Sequence, residues 1–446
     1  MTKPLRRTEM RAKNTAAVAG KSRDPVVGSS KPRLLSNLGP GLITGASDDD
    51  PSGIATYSQA GAQLGFSIPW IMLFSYPLMA AAQEISARIG RTTGHGLAGN
   101  LHKNYPGWVL HFIVIILAVA NTVNLGADLG AMGDVAEMMT GGAHLFYVLL
   151  FGLICGSLQI FMQYSRYVAV LKWTTVTLFA YFGTAFMVKV PWQEFVAGFF
   201  IPHITFSSSF FSILTAVLGT TISPYLFFWQ SSQEAEDERV KPYRHPLKEA
   251  PNEGKRALHR IKFDTYIGMG FANLVALAII VTTAATLHAK GITDIQSSQQ
   301  AAEALRPVAG NFAFAIFSLG IIGTGMLAVP VLAGSTAYAI GESRRWKVGL
   351  GRKPKEAKAF YLILAIATVG GIVINFTPID PIKALYWAAI ANGIASVPVM
   401  IIMMMMSANR KVMGEFVVRG PLRYIGWLAT GVMGLTAVGT IVTSIW

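Results

Sequence analysis

The sequence predicts an all-α membrane protein that crosses the bilayer eleven times, as two inverted repeats of five helices followed by one additional helix. Three observations lead to this fold class. First, 52% of the 446 residues are hydrophobic and 13% are charged, whereas soluble domains carry about 25% charged residues. Second, apolar runs of about 20 residues recur along the chain. Third, two of these runs are interrupted near their middle by proline and polar residues.

Each of the eleven apolar runs is long enough to cross a bilayer as a helix. They lie at 36–62, 66–90, 108–138, 144–163, 167–189, 209–233, 264–289, 308–341, 357–376, 380–406 and 422–445. Within a membrane domain of residues 34–446, the first repeat is expected at about 36–190, the second at about 207–406 and the additional helix at about 422–445. Residues 1–33 are basic and polar and lack the apolar core of a signal peptide. They are predicted to be a disordered cytoplasmic tail.

Lysine and arginine are distributed unevenly between the two predicted membrane faces. With the N-terminus in the cytoplasm, 33 of the 37 Lys and Arg residues fall on the cytoplasmic side. Such an excess is typical of cytoplasmic segments, so the sequence predicts a multi-pass protein of the cell membrane with an extracytoplasmic C-terminus. The same asymmetry accounts for the net charge of +14 without a nucleic-acid partner. The lone cysteine, Cys155, excludes a disulfide framework.

The first apolar run is interrupted by the sequence GASDDDPSGIAT at 45–56. Asp50 lies about 15 residues into this run, near the expected bilayer midplane. A charged residue there costs at least about 2.5–3.5 kcal/mol, and Pro51 removes a backbone donor. We therefore expect the helix to stop and restart at Pro51. Unwound backbone at this depth is tolerated inside protein or along a water-filled cavity.

The sixth run contains a second interruption of the same kind, in VLGTTISPYLFFWQSSQ at 217–233. Pro224 lies in mid-run, 173 residues after Pro51, which is close to the length of a five-helix unit. Paired interruptions in two halves of a chain indicate an inverted-repeat protein with its binding site between the breaks. An aspartate beside free carbonyls at such a site favours a cation.

Three stretches are similar to one known family. GPGLITGASDDDPSGIATYSQAGAQLGFSIPW (39–70), QEISARIGRTTGHGLA (83–98) and GADLGAM (126–132) resemble the first, second and third helices of the NRAMP (natural resistance-associated macrophage protein) family of divalent-metal transporters. The resemblance implies a LeuT-type fold, with helices 1 and 6 unwound at mid-membrane. It also implies that a metal ion is the transported substrate and not a cofactor.

The chain departs from the family pattern at the residues that would bind metal. The family's Asp-Pro-Gly-Asn is Asp50-Pro51-Ser52-Gly53 here, so Gly53 replaces an asparagine ligand. The family's Met-Pro-His-Asn begins with Ser223 here, so a hydroxyl replaces a thioether. Thioethers favour soft metals, whereas oxygen ligands suit Mg²⁺, Ca²⁺ and Mn²⁺. The expected metal site comprises Asp50, Asp49, Ser223, Gly53 and the carbonyl groups near Ser47 and Thr220.

A larger pocket lined by oxygen atoms fits Mg²⁺, which keeps several waters and binds through one or two carboxylates. The pattern resembles the NRAMP-related magnesium transporter branch, and Mn²⁺ is also hard enough for such ligands. Four polar side chains are expected along the ion pathway: Asp128, Asn124, Asn392 and Tyr225. The sequence has no histidine in the middle of runs one, three or six, and Ala131 replaces a family glutamate. We therefore expect uptake of the ion without coupling to protons. The protein is expected to be a monomer.

Two other transport functions stay open at this stage. One is proton-coupled Mn²⁺ and Fe²⁺ transport of the ordinary NRAMP type, and the other is an amino-acid permease-like carrier on the same fold. An enzyme is not expected, because GADLG at Asp128 lacks the Gly-x-Gly-Asp motif of membrane aspartyl proteases and no phosphate-binding loop is present.

Several polar segments are predicted to have no role in binding. We expect Glu84 and Arg88 to form a surface ion pair four residues apart. The acidic run from Glu234 to Glu238 is expected to be a solvated helix end, and residues 234–263 a linker. Four consecutive methionines, 403–406, point all round a helix and are expected to pack against protein or lipid.

Overall fold

The computed structural model describes residues 40–161, 178–240 and 244–445. This part of the chain is helical, with no strand among the described residues. The main helices are α1 (Pro40–Asp48), α2 (Pro51–Leu64), α3 (Trp70–Thr93), α4 (Leu97–Asn104), α5 (Gly107–Thr140), α6 (His144–Phe161), α7 (Phe179–Met187), α8 (Trp192–Phe200), α9 (Ser208–Thr221), α10 (Pro224–Val240), α11 (Gly254–Thr286), α12 (Ala313–Ser343), α13 (Lys358–Ile374), α14 (Pro381–Ala408) and α15 (Pro421–Ile445). Shorter helices span Ser298–Ala302, Arg306–Ala309 and Arg410–Met413, and 3₁₀ turns span Gly65–Ser67, Pro251–Glu253, His288–Lys290, Glu303–Leu305 and Gly310–Phe312.

Seven helical segments of the described chain are long and apolar enough to cross a membrane. They are Gly107–Thr140, His144–Phe161, Ser208–Val240, Pro251–Lys290, Ser298–Ser343, Pro381–Ala408 and Pro421–Ile445. The other four predicted spans fall outside this set for identifiable reasons. The first is divided into α1 and α2, the second is more polar because it carries Gln83 and Glu84, and the ninth is a helix of 17 residues, Lys358–Ile374. Residues 167–177 of the fifth lie outside the described residues, as does the predicted tail at 1–33.

The long helix α5 packs against α12, α13 and α14. Its residues become continuously buried around Asn124 and Asp128, while its first turns carry exposed apolar side chains such as Ile115. The neighbouring helix α3 ends at Gly94, whose backbone is left-handed with φ 67° and whose N–H donates to the Gly90 carbonyl at 2.9 Å. A glycine in this conformation is a common helix terminator.

Close backbone contacts hold the first halves of both interrupted helices. A Cβ atom added to Gly45 of α1 would lie 2.3 Å from the carbonyl oxygen of Gly268 in α11. A Cβ atom added to Gly219 of α9 would lie 2.2 Å from the carbonyl oxygen of Ala389 in α14. Neither position has space for a side chain. These close contacts hold each interrupted helix against a continuous helix. Both interruptions therefore lie inside the helix bundle.

The acidic run at the end of α10 is buried, and the expectation of a solvated helix end is wrong. Glu234, Glu236 and Glu238 are 1%, 9% and 4% exposed. Each carboxylate has a partner on a different element: Glu234 pairs with Arg260, Glu236 accepts from the Gly351 N–H at 2.6 Å, and Glu238 pairs with Arg91 at 2.8 Å. Two helices, α3 and α11, and the loop around Gly351 pack on this helix end and exclude water from it.

Other predicted polar segments also differ from expectation. The linker predicted at 234–263 is shorter, because α10 continues to Val240 and α11 begins at Gly254. Glu84 and Arg88 form the predicted ion pair at 2.5 Å, but the Glu84 side chain is 2% exposed, so the pair is not on the surface. Of the four methionines, Met403, Met404 and Met406 are buried and Met405 is exposed, which agrees with packing on several sides of the helix.

Candidate functional site between the two interrupted helices

The first interruption lies where the sequence predicts it. Helix α1 ends at Asp48 and α2 begins at Pro51, with Asp49 and Asp50 between them. Asp50 is the N-cap of α2: its backbone is extended (φ −70°, ψ 171°), and its Oδ1 accepts from the Gly53 N–H at 2.7 Å and the Ser52 hydroxyl at 2.6 Å. Aspartate at the N-cap followed by proline is a favoured helix start. The Asp-Pro pair therefore restarts the helix and fixes the carboxylate at the break.

The second interruption lies between Thr221, the last residue of α9, and Pro224, the first of α10. The hydroxyl of Ser223 donates to the carbonyl oxygens of Gly219 and Thr220, at 2.7 and 2.6 Å. From α14, the hydroxyl of Ser396 donates to the Ile222 carbonyl at 2.6 Å. These bonds satisfy carbonyl groups that the interrupted helix leaves without partners.

A tyrosine connects the two interruptions. The hydroxyl of Tyr225, at the start of α10, donates to the carbonyl oxygen of Ser47 at 3.2 Å and lies 3.4 Å from Oδ2 of Asp50. A second contact joins α2 to α9, where the hydroxyl groups of Tyr57 and Thr220 are hydrogen-bonded at 3.2 Å. The two breaks are therefore adjacent in space, as the paired interruptions predict.

Helix α5 supplies a third wall of the site. The amide of Asn124 donates to Oδ2 of Asp50 at 3.0 Å. Asp128, one turn further along, is fully buried and lies beside the backbone N–H of Ser52 at the start of α2. Both predicted pathway residues of this helix therefore face the first interruption.

The site concentrates acidic side chains in a buried region. Asp48, Asp49, Asp50 and Asp128 are each at most 2% exposed. In the described ranges none of the four forms an ion pair with Lys, Arg or His. Both carboxylate oxygens of Asp48 and Oδ1 of Asp49 lack a hydrogen bond from any described residue. Buried carboxylates are paired or bind metals, so this cluster is suited to attract a cation.

The predicted ligands are brought together to different degrees. Asp50, Gly53 and Ser47 share contacts at the first interruption, whereas Ser223 and Thr220 bond mainly to their own helix. Asn392 is buried with neither amide atom hydrogen-bonded to a described residue, and the next residue, Gly393, packs against Gly219. No group of three or more His, Cys, Asp or Glu side chains converges as a ready metal cluster in the part of the chain that the structure describes. A bound ion would rely on few carboxylates together with carbonyl and hydroxyl oxygens.

Sequence reasoning missed three side chains at the site. Tyr57 and Ser396 form the contacts given above, and Met132 lies beside the first break, where its Sδ fills the space that a side chain at Gly325 would need, next to the Pro51 ring. The position of Tyr57, four residues after Gly53, places it on the same helix face as the break. No comparable local signal identifies Ser396, because its partner is 174 residues away.

Two discontinuous helices that meet at buried acids within an apolar bundle define a class of protein, the membrane transporters with unwound helices at mid-membrane. The family model of natural resistance-associated macrophage protein-like (Nramp) proteins matches residues 41–443. The chain belongs to the Nramp family, and it is therefore a transporter and not an enzyme.

Relatives and solved structures agree with this assignment. The divalent metal cation transporter MntH of Klebsiella pneumoniae is 24% identical over 409 residues, which cover 90% of this chain and 92% of the relative. MntH of Yersinia pestis is 27% identical over 310 residues, covering 66% and 69%. The structure of a manganese transporter from Eremococcus coleocola superposes with a TM-score of 0.74 at 15% identity, covering 94% and 89%. MhsT in complex with L-phenylalanine gives a TM-score of 0.55 at 13% identity, covering 95% and 99%. These likenesses confirm the predicted LeuT-type fold.

Proposed function

We propose that this protein takes up divalent metal ions, with Mg²⁺ and Mn²⁺ as its substrates, and that it binds them partly hydrated between the two interruptions. The observation that supports this most directly is the buried carboxylate of Asp50 at the first break, beside the Ser47 carbonyl and three further acids. No cationic side chain among the described residues is paired to it. The relatives named as divalent metal and manganese transporters support the same class of substrate. The metal is cargo in this proposal and not a resident cofactor.

The chemistry of the donors favours hard ions. Asp50, the Ser47 carbonyl and the Tyr225 hydroxyl offer oxygen atoms, which suit Mg²⁺ and Mn²⁺ better than soft metals. Few carboxylates reach one point, which is the arrangement in which Mg²⁺ keeps several of its waters. The carbonyl and hydroxyl groups of Ser223 and Thr220 would contact that water shell. In this proposal Gly53 takes the position of the family asparagine, where a side chain would approach the Tyr57 ring and the Asp48 carbonyl oxygen, at 3.2 and 3.3 Å from its Cβ.

We infer further that uptake is not coupled to protons. The described residues of α5 and α10 that face the break offer no histidine, and Tyr225 and Ala131 stand where family members carry a histidine and a glutamate. In the orientation predicted from the Lys and Arg distribution, with a cytoplasmic N-terminus, the concentration gradient and the membrane potential drive entry. A divalent ion gains about 4.6 kcal/mol from 100 mV.

The test is metal uptake by the purified full-length protein in proteoliposomes, comparing Mg²⁺, Mn²⁺, Ca²⁺ and Cd²⁺ with a simultaneous readout of internal pH. We expect Mg²⁺ and Mn²⁺ to enter with saturation and without acidification. The variant that tests the site is Asp50→Asn. Its matched control is Asp294→Asn, because Asp294 is an exposed carboxylate outside the site. Acidification that accompanies metal entry would refute the uncoupled mechanism. Absence of saturable entry of all four ions would refute the substrate class.

A further inference from the structure

Two hydroxyl bridges cross between the interrupted helices, and each joins a different pair of half-helices. Tyr225 links α10 to α1 through the Ser47 carbonyl, at 3.2 Å. Tyr57 links α2 to α9 through the Thr220 hydroxyl, also at 3.2 Å. Both tyrosines are fully buried, at 1% and 0% exposure. The two contacts have the same length but different chemistry: Tyr225 donates to a backbone carbonyl, whereas Tyr57 accepts from a threonine hydroxyl. They also join half-helices on different sides of the two breaks.

The chain direction fixes which side each bridge closes. In the predicted eleven-span topology, the first span runs from the face that holds residue 40, and the sixth span runs back toward that face. Half-helices α1 and α10 therefore lie on the side of residue 40, which is cytoplasmic in the proposed orientation. Half-helices α2 and α9 lie on the opposite side. The Tyr225 bridge closes the inner pair, and the Tyr57 bridge closes the outer pair.

We propose that Tyr225 and Tyr57 are positioning residues that act as opposing gates, the first holding the inner half-helices together and the second the outer ones. This inference rests on the proposed transport function, because a carrier must open its site to each side in turn. With both bridges formed the site is closed on both sides, which agrees with the burial of Asp50. Opening to the cytoplasm requires the Tyr225 bridge to break, and opening outward requires the Tyr57 bridge to break.

The two gates differ in their relation to the ion. The Tyr225 hydroxyl has one proton, and it lies between the Ser47 carbonyl and Oδ2 of Asp50. A cation bound to these two oxygens competes with that proton and weakens the inner bridge. The Tyr57 hydroxyl contacts Thr220, which bears no charge. Ion binding therefore favours opening of the inner gate, which is the direction of release during uptake.

Thiol reactivity can measure each gate separately, without any metal. The chain has one cysteine, the buried Cys155, so a Cys155→Ala background allows single reporters. Thr44→Cys reports on α1, one turn from Ser47, and Val217→Cys reports on α9, one turn from Thr220. Both native side chains are 0% exposed, so a hydrophilic maleimide reacts with the reporter only when the corresponding side opens.

We expect Tyr225→Phe to raise the labelling rate at Thr44→Cys by about fivefold, the factor that loss of one hydrogen bond allows, and to leave Val217→Cys unchanged or slower. Tyr57→Phe is expected to do the opposite. Thr220→Val removes the outer bridge from its other end and should reproduce the effect of Tyr57→Phe. Tyr225→Leu replaces Tyr225→Phe if that variant does not yield a monodisperse protein.

The gate proposal is wrong if Tyr225→Phe and Tyr57→Phe accelerate labelling of the same reporter, or if every labelling rate stays within about twofold of the parent. Normal gate behaviour in a protein without metal uptake would refute the proposed substrate alone.

Discussion

The two interruptions are similar in backbone and different in chemistry. The first carries three consecutive acids, and its Asp50 carboxylate is bonded to Asn124 and Tyr225 from two other helices. The second carries no charge, and its Ser223 hydroxyl bonds to carbonyl groups of its own segment. In the proposed function, the first interruption therefore supplies the carboxylate that binds the cation, whereas the second supplies neutral oxygens around it. Substitutions at the two breaks should differ accordingly in size and in kind.

The largest difference is expected when each break loses its principal side chain. Asp50→Asn removes the carboxylate but keeps its shape, and we expect metal uptake to fall by at least about a hundredfold, because a partner of a buried charge is worth about 3 kcal/mol or more. Ser223→Ala removes a neutral hydroxyl and should reduce uptake by about fivefold or less. Initial rates in proteoliposomes measure both, normalised to the amount of folded protein. Equal losses in the two variants would contradict the division of roles between the breaks.

A smaller effect is expected on selectivity at the second break. Ser223→Met restores the thioether that the family carries at this position and adds a soft ligand to the site. The ratio of Cd²⁺ to Mg²⁺ uptake should rise by about tenfold. The matched control is Met132→Leu, which removes a thioether beside Pro51 without adding or removing an oxygen ligand. If Met132→Leu lowers Cd²⁺ uptake by a similar factor, a soft ligand is already present at the first break and the site is not oxygen-lined.

The sequence predicts the two breaks well and their connections poorly, for a physical reason. Proline, glycine and aspartate act on the backbone of their own segment, so both helix stops follow from local sequence to within a residue or two. The contacts of Tyr57 and Ser396 depend on which helices become neighbours, and this is set by close packing at residues such as Gly45 and Gly219.

At the acidic end of α10, the sequence prediction is wrong even about whether the side chains are buried. Charged residues after a predicted span normally face water, so a solvated end was the reasonable expectation for Glu234, Glu236 and Glu238. Their burial depends on Arg91, Arg260 and the backbone at 351, which lie far away in sequence. Composition alone cannot identify ion pairs between distant segments, since each member looks like an ordinary solvated charge.

The contact that supports the second break from outside should have a measurable effect on stability. Ser396→Ala leaves the Ile222 carbonyl without its 2.6 Å donor, and we expect a loss of about 1 kcal/mol, seen as a fall of about 2 °C in the melting temperature of the solubilised protein. The control is Ser407→Ala on the same helix, whose buried hydroxyl bonds within its own helix to Met404. Equal falls in melting temperature in the two variants would show that the bond to the Ile222 carbonyl adds no more stability than a hydrogen bond within one helix.

The smallest expected effect is a change in the pH dependence of stability. It arises from His95, which lies outside both breaks. Partial burial, with the Lys103 ammonium nearby, lowers the pKa of His95 to about 4, in the turn between α3 and α4. The neutral imidazole accepts from Lys103 at 2.6 Å. Because an unfolded histidine titrates near pH 6.5, the unfolded chain binds more protons below that pH, and stability falls as the pH drops from about 6.5 toward 4. His95→Gln should therefore narrow the difference in melting temperature between pH 7.5 and 5.5, while leaving the pH profile of uptake unchanged. A step in uptake between pH 5.5 and 7.5 that persists in His95→Gln would contradict proton-independent transport.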